Sequence, residues 1–172
     1  AGGGKGANQA IAAAKSGAET YFINRVGEDS DGGYITHQLK SYGVDTTYVQ
    51  TTIGAKTGHA YITLNEAGQN DIIIDHGANY ELTVEDLKAA SDLINNWDCI
   101  IAQFETPIDV TTSAFKMAKK AGKVTILNPA PAIDKIPADL LKYTDIIMPN
   151  ETESAKITGI PIKDNSTLAT NA

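Results

Sequence analysis

Cysteine, arginine and long apolar runs are what this 172-residue chain has little of. One cysteine, Cys99, excludes a disulfide framework. It stands in the apolar run Cys99-Ile100-Ile101-Ala102, which predicts a buried core thiol in a reducing cytoplasm. A single arginine, Arg25, and a formal net charge of −7 argue against nucleic acid or an anionic membrane surface as a main partner. Any bound anion must then be held by backbone N–H groups, a few lysines or a metal. No apolar run reaches the length that spans a bilayer, and no secretory signal pattern is visible. What remains is an ordinary globular composition, sufficient for one domain or most of a larger one.

What is present starts at once. Gly2-Gly3-Gly4-Lys5-Gly6-Ala7-Asn8-Gln9 surrounds one lysine with glycines, and an alanine-rich segment predicts a helix over 7–16, stopped by Gly17. Glycines let backbone approach a ligand closely, and a helix start aims free N–H groups at the same place. That suits a polar or anionic small molecule, although a plain turn before a helix explains the glycines as well. A nucleotide P-loop is excluded, because Gly6 follows Lys5 where Ser or Thr is required. The dinucleotide fingerprint fails too, since Ala7 stands where its last glycine belongs.

The remainder reads as alternating strands and helices. A strand is expected at 19–26, then an acidic turn, Gly27-Glu28-Asp29-Ser30-Asp31-Gly32, read as a helix N-cap rather than a calcium loop. A helix over 34–42 ends at Gly43, and a short strand follows at 46–50. The stretch 57–75 differs: strand, turn at Asn65-Glu66-Ala67-Gly68, strand. A hairpin within a strand–helix alternation predicts a projecting flap or a small second sheet. His59 and His76 read as hydrogen-bonding residues, not a metal pair. The rhythm then resumes: a helix from a Thr83 cap to about residue 94, a strand at 97–103, a helix begun by Pro107 and ended by Gly122, a strand at 124–127, helical residues 138–142, a strand at 144–148, and a helix ending at Gly159. Such alternation predicts a parallel sheet covered on both faces, with ligands beyond the carboxyl ends of its strands.

Glu105, the rigid loop Asn128-Pro129-Ala130-Pro131-Ala132 and Asn150 all fall at those ends. Glu105 reads either as a dipole-favoured helix-start residue or as an acceptor for substrate hydroxyls. Asn150 and Glu153 have capping-box spacing, which alone accounts for them. Glu153 is also a hard oxygen ligand suited to Mg2+.

Taken together, Gly-Gly-Lys-Gly-Ala-Asn-Gln at 3–9, Gly-Glu-Asp-x-x-Gly at 27–32, Asn-Pro-Ala-Pro at 128–131 and Asn-Glu-Thr-Glu at 150–153 resemble the ribokinase-like carbohydrate kinase family, in order and spacing, over essentially the whole chain. The resemblance implies a Rossmann-like three-layer α/β/α sandwich with a mostly parallel sheet, plus a small β-sheet lid inserted at about 57–75, and often a homodimer joined through the lid. It implies transfer of the ATP γ-phosphoryl group to the 5-hydroxyl of D-ribose, with Mg2+ and a monovalent cation such as K+, in the cytoplasm. Carried over, Gly3, Gly4, Lys5, Gly6, Ala7, Asn8 and Glu105 bind the sugar, Asn150 lies by the ATP phosphates, and Glu153 holds Mg2+ through water. The family's aspartate base sits in a Gly-Ala-Gly-Asp motif that these residues do not contain. The chain opens inside the glycine loop and stops in what reads as a helical turn at 166–172, so an internal fragment, inactive alone, is expected. A kinase for another sugar or a nucleoside, a non-catalytic sugar-binding module, and a purely structural α/β domain are the alternatives.

Overall fold

Residues 2–64, 70–162, 164, 167 and 170 are described by a computed structural model. The turn expected at 65–68 lies outside the described residues, and the helical turn at 166–172 lies largely outside them. The chain divides into two units, Ala1–Ala90 and Ser91–Ala172.

In the first unit, α1 (Lys5–Lys15) starts earlier than the expected 7–16 span. Gly4 turns the chain into it at φ 99°, an angle where a side-chain-bearing residue is strained. The alanines let α1 lie close to its neighbours: Ala7 and Ala10 pack with Leu39 and Val44, flanked by Ile11, Phe22 and Ile35. The strand expected at 19–26 is two, β1 (Thr20–Tyr21) and β2 (Asn24–Gly27). Next come α2 (Ser30–Ser41), β3 (Val44–Asp45) and β4 (Val49–Thr52). β1 pairs in parallel with β3, and β2 with β4. The strand expected at 46–50 is interrupted because the Asp45 carboxylate accepts from the Thr47 N–H at 2.8 Å, a local turn between β3 and β4. The acidic turn is an N-cap, as expected: Asp29 Oδ1 accepts from Gly32 N–H at 2.8 Å, and α2 starts ahead of the expected 34–42.

The hairpin consists of β5 (His59–Leu64) and β6 (Asn70–Asp75), antiparallel, with His59 opposite Asp75 and Tyr61 opposite Ile73. A 3-10 turn, Gly77–Glu81, brings the chain back, and α3 (Val84–Ala89) opens on a Thr83–Asp86 capping box. The helix expected to about residue 94 changes at its end into a 3-10 segment, Ser91–Asn95.

The second unit holds β7 (Cys99–Ala102), α4 (Ile108–Lys120), β8 (Val124–Leu127), α5 (Ala138–Lys142), β9 (Ile146–Ile147) and α6 (Glu151–Thr158). Its sheet is parallel in the order β7-β8-β9. Phe104, Phe115, Leu127, Ile136 and Leu140 form the core on one face, with Ile100 and Ala102 of β7 against them. Cys99 corrects an expectation, because its thiol is exposed and not in the core. The alternation along a strand sends Cys99 and Ile101 to the other face, in register with Val124 and Ile126, and Ile101 and Val124 are exposed there too. Pro107 is the N-cap of α4 and not its first residue, at an extended ψ of 131°. β9 is shorter than the expected 144–148; just ahead of it Thr144 Oγ1 donates to Leu140 O at 2.8 Å, and Asp145 accepts from Lys119 at 2.5 Å and from Thr125 N–H at 2.9 Å. The fold is α/β, with parallel ladders in both units and, among the described residues, one antiparallel hairpin.

Candidate functional site

The glycine-rich stretch is a helix entry. Gly3 and Gly4 are exposed, Lys5 and Gly6 are half-buried within the first turn of α1, and Asn8 is exposed one turn in. Asn8 N–H is already committed to Gly4 O at 3.0 Å. Helix geometry leaves the N–H groups of Gly6 and Ala7 without an intrahelical acceptor, beside the lysine. Ala7 itself is only 5% exposed, so its methyl belongs to the core and only its backbone is available to a ligand. These residues form one contiguous turn that presents backbone donors, a cation and a carboxamide.

The other predicted residues lie in the second unit, at the carboxyl ends of three neighbouring parallel strands. Glu105 follows β7, is half-buried, and stands next to Phe104, which is 3% exposed and anchors the turn. Phe104 N–H donates to Ala130 O at 2.9 Å, and Asn128 N–H donates to Ala102 O at 2.9 Å, so the loops after β7 and β8 are tied together. The Ala130–Pro131 peptide is cis. After β9, Met148 N–H donates to Leu127 O at 2.8 Å and the chain turns into α6. There the capping box is complete: Glu153 N–H donates to Asn150 Oδ1 at 2.8 Å, and Asn150 N–H to Glu153 Oε2 at 2.9 Å. Glu153 is 7% exposed, and one of its oxygens is bound to the cap. Among the described residues no cluster of His, Cys, Asp or Glu is suited to hold a metal by itself.

Sequence reasoning missed the root of the hairpin. Thr57 is 9% exposed and knotted to the α2 cap: its N–H donates to Asp29 Oδ2 at 2.8 Å, its hydroxyl to Asp29 Oδ1 at 2.6 Å, and Gly27 N–H donates to that hydroxyl at 3.0 Å. Only glycine fits at 27, where an added Cβ would lie 2.4 Å from Thr57 N. The Thr57 donors pull the Asp29 carboxyl down to about 2. Lys56 O accepts from Ala78 N–H at 2.8 Å, so both legs of the hairpin meet here. Arg25, the lone arginine, forks onto Asp86: Nε to Oδ2 at 2.7 Å and Nη2 to Oδ1 at 2.8 Å. Burial pushes the Asp86 carboxyl up, but the Arg25 fork and the Thr83 donors outweigh it, and the group ends below its ordinary value. The Thr83-x-x-Asp86 cap was legible; the partner from β2 was not.

A family model for pfkB family carbohydrate kinases matches residues 1–172. The chain is 50% identical over 171 residues to a bifunctional ribokinase/ribose-5-phosphate isomerase A of Fructilactobacillus sanfranciscensis, covering 99% of this chain and 32% of that protein. It is 47% identical over 171 residues to a ribokinase of Staphylococcus aureus, covering 99% of this chain and 56% of that one. A solved ribokinase of Arabidopsis thaliana, complexed with ribose and ATP, matches it with a TM-score of 0.88 at 36% identity, over 98% of this chain and 55% of that chain. The chain thus spans about half the length of these ribokinases, and about a third of the bifunctional protein. On the match of its whole length, the chain belongs to the pfkB family of carbohydrate kinases.

Proposed function

We propose that this chain belongs to an ATP-dependent kinase that transfers the γ-phosphoryl group to the 5-hydroxyl of D-ribose. The observation that carries this reading is the entry to α1, where Gly4 at φ 99° sets exposed backbone, Lys5 and Asn8 in one turn. An uncharged sugar needs a dense array of donors and acceptors, and that turn supplies one. The relatives named above support the choice of ribose.

In this reading Gly3, Gly4, Lys5, Gly6, the Ala7 backbone and Asn8 bind and orient the sugar, and Glu105 accepts from one of its hydroxyls. Asn150 and the start of α6 lie by the ATP phosphates, where a helix N-terminus favours negative charge. Magnesium, when bound, neutralises charge on the phosphates, and Glu153 would hold its water shell. Phosphoryl transfer relies on positioning and charge neutralisation more than on covalent help, so binding residues of this kind carry much of the work. A monovalent cation such as K+ and a cytoplasmic setting belong to the same proposal. No helix among the described residues is long and apolar enough to cross a membrane.

The hairpin serves as the lid. Tyr61 and Ile73, cross-strand partners, are 56% and 61% exposed, which supports packing of two lids in a homodimer. Light scattering of Tyr61→Asp against the parent chain tests that association. Calorimetric titration of ribose against other pentoses and nucleosides tests the substrate: selective ribose binding supports the reading, and preference for a nucleoside overturns it.

A further inference from the structure

His59 is the first residue of the hairpin, and both of its ring nitrogens face acceptors. Nε2 is 2.9 Å from Asp31 Oδ2 on α2, and Nδ1 is 2.6 Å from the carbonyl of Thr57. Neutral imidazole carries one N–H and satisfies one acceptor; only imidazolium satisfies both. The two acceptors are not equivalent. Thr57 is fixed by Asp29 from both its N–H and its hydroxyl, whereas the Asp31 side chain is 59% exposed. On losing its proton, His59 keeps the buried carbonyl through Nδ1–H and loses its grip on Asp31.

We propose that the His59–Asp31 contact is a protonation-dependent latch that ties the base of the hairpin to α2 and releases it when His59 becomes neutral. The Asp29–Thr57 knot is the fixed pivot, and the latch is the breakable second attachment. The charged and titratable groups around His59 are Asp31 on α2, Asp29 at its N-cap, Asp75 opposite it on β6 and Tyr61 stacked at 6.1 Å along β5, with Lys56 just ahead of Thr57 in the chain. The hydrogen bond to Asp31, then that to Thr57, raises the His59 pKa against a smaller opposing effect of burial. The release therefore falls above the ordinary histidine pKa. This holds whatever the substrate of the chain.

NMR on the chain tests it. Histidine side-chain titration reads the pKa of His59, and backbone 15N relaxation reads order at residues 60–64 and 70–74 between about pH 5 and pH 8. The expected result is that His59 titrates above the ordinary histidine value, that Asp31→Asn lowers it, and that hairpin order falls as His59 loses its proton. In Asp31→Asn and His59→Gln the hairpin order does not change with pH. A His59 pKa unmoved by Asp31→Asn overturns the proposal. So does hairpin order that ignores pH in the parent chain, or that keeps the same pH response in both variants.

Discussion

Asp29 and Thr57 stand 28 residues apart in sequence and share two hydrogen bonds, at 2.8 and 2.6 Å. One carboxylate thereby caps α2 and pins the entry to the hairpin. Thr57→Val removes the hydroxyl from this knot and is expected to lower the melting temperature by roughly 2–6 °C. The pH dependence has a definite sign. A carboxyl held at about 2, against an ordinary 3.8, contributes stability that is fully present above 3.8 and is lost as pH falls through about 2. The stability gap between parent and Thr57→Val should therefore shrink across that window in thermal melts followed by circular dichroism. A gap that stays constant down to the lower limit contradicts this account of Asp29.

Arg25 and Asp86 join β2 to the start of α3 through a two-pronged contact, with side chains 23% and 9% exposed. Asp86 also closes the capping box, accepting from Thr83 N–H at 2.8 Å. Asp86→Ala should cost about 2–4 kcal/mol, since it strands a half-buried guanidinium and opens a cap at once. Arg25→Lys keeps the charge but not the fork, and is expected to cost about 1–2 kcal/mol. Urea unfolding of the two variants checks both; a Lys variant as stable as the parent would show that charge alone suffices.

The caps and the second-unit loops were legible in the sequence because they depend on short spacings. Thr83-x-x-Asp86, Asn150-x-x-Glu153 and the acidic turn at Asp29 each announce a helix start within one turn of chain. Strand extents were less legible. The 19–26 and 46–50 stretches each look like one strand, yet Asp45 folds a turn into the second, and the halves of the first take different partners. Cys99 was misread because an apolar run does not say which sheet face is covered. Thr57, His59 and Asp31 were invisible as a group, since nothing local marks a contact between a helix start and the foot of a hairpin.

Asn150 and Glu153 separate structure from chemistry. Asn150→Ala should cost about 1 kcal/mol of stability by loss of the cap. Glu153→Gln can still accept from the Asn150 N–H, so its stability should change by less than about 1 kcal/mol. In an active kinase carrying these residues, Glu153→Gln should nevertheless raise the magnesium concentration needed for half-maximal turnover. An unchanged magnesium dependence would leave Glu153 as a capping residue only.

The entry to α1 is the centre of the account. Gly4→Ala forces a side chain to φ 99° and should cost about 1–3 kcal/mol while displacing the turn. The most direct measurement is calorimetric titration of D-ribose into the protein and into Lys5→Ala and Asn8→Ala, with melting curves to show that each variant is folded. The account predicts that each substitution weakens ribose binding by about 1–3 kcal/mol with little loss of stability. Ribose affinity unchanged in both folded variants would contradict it, and would leave the glycines as a turn before a helix.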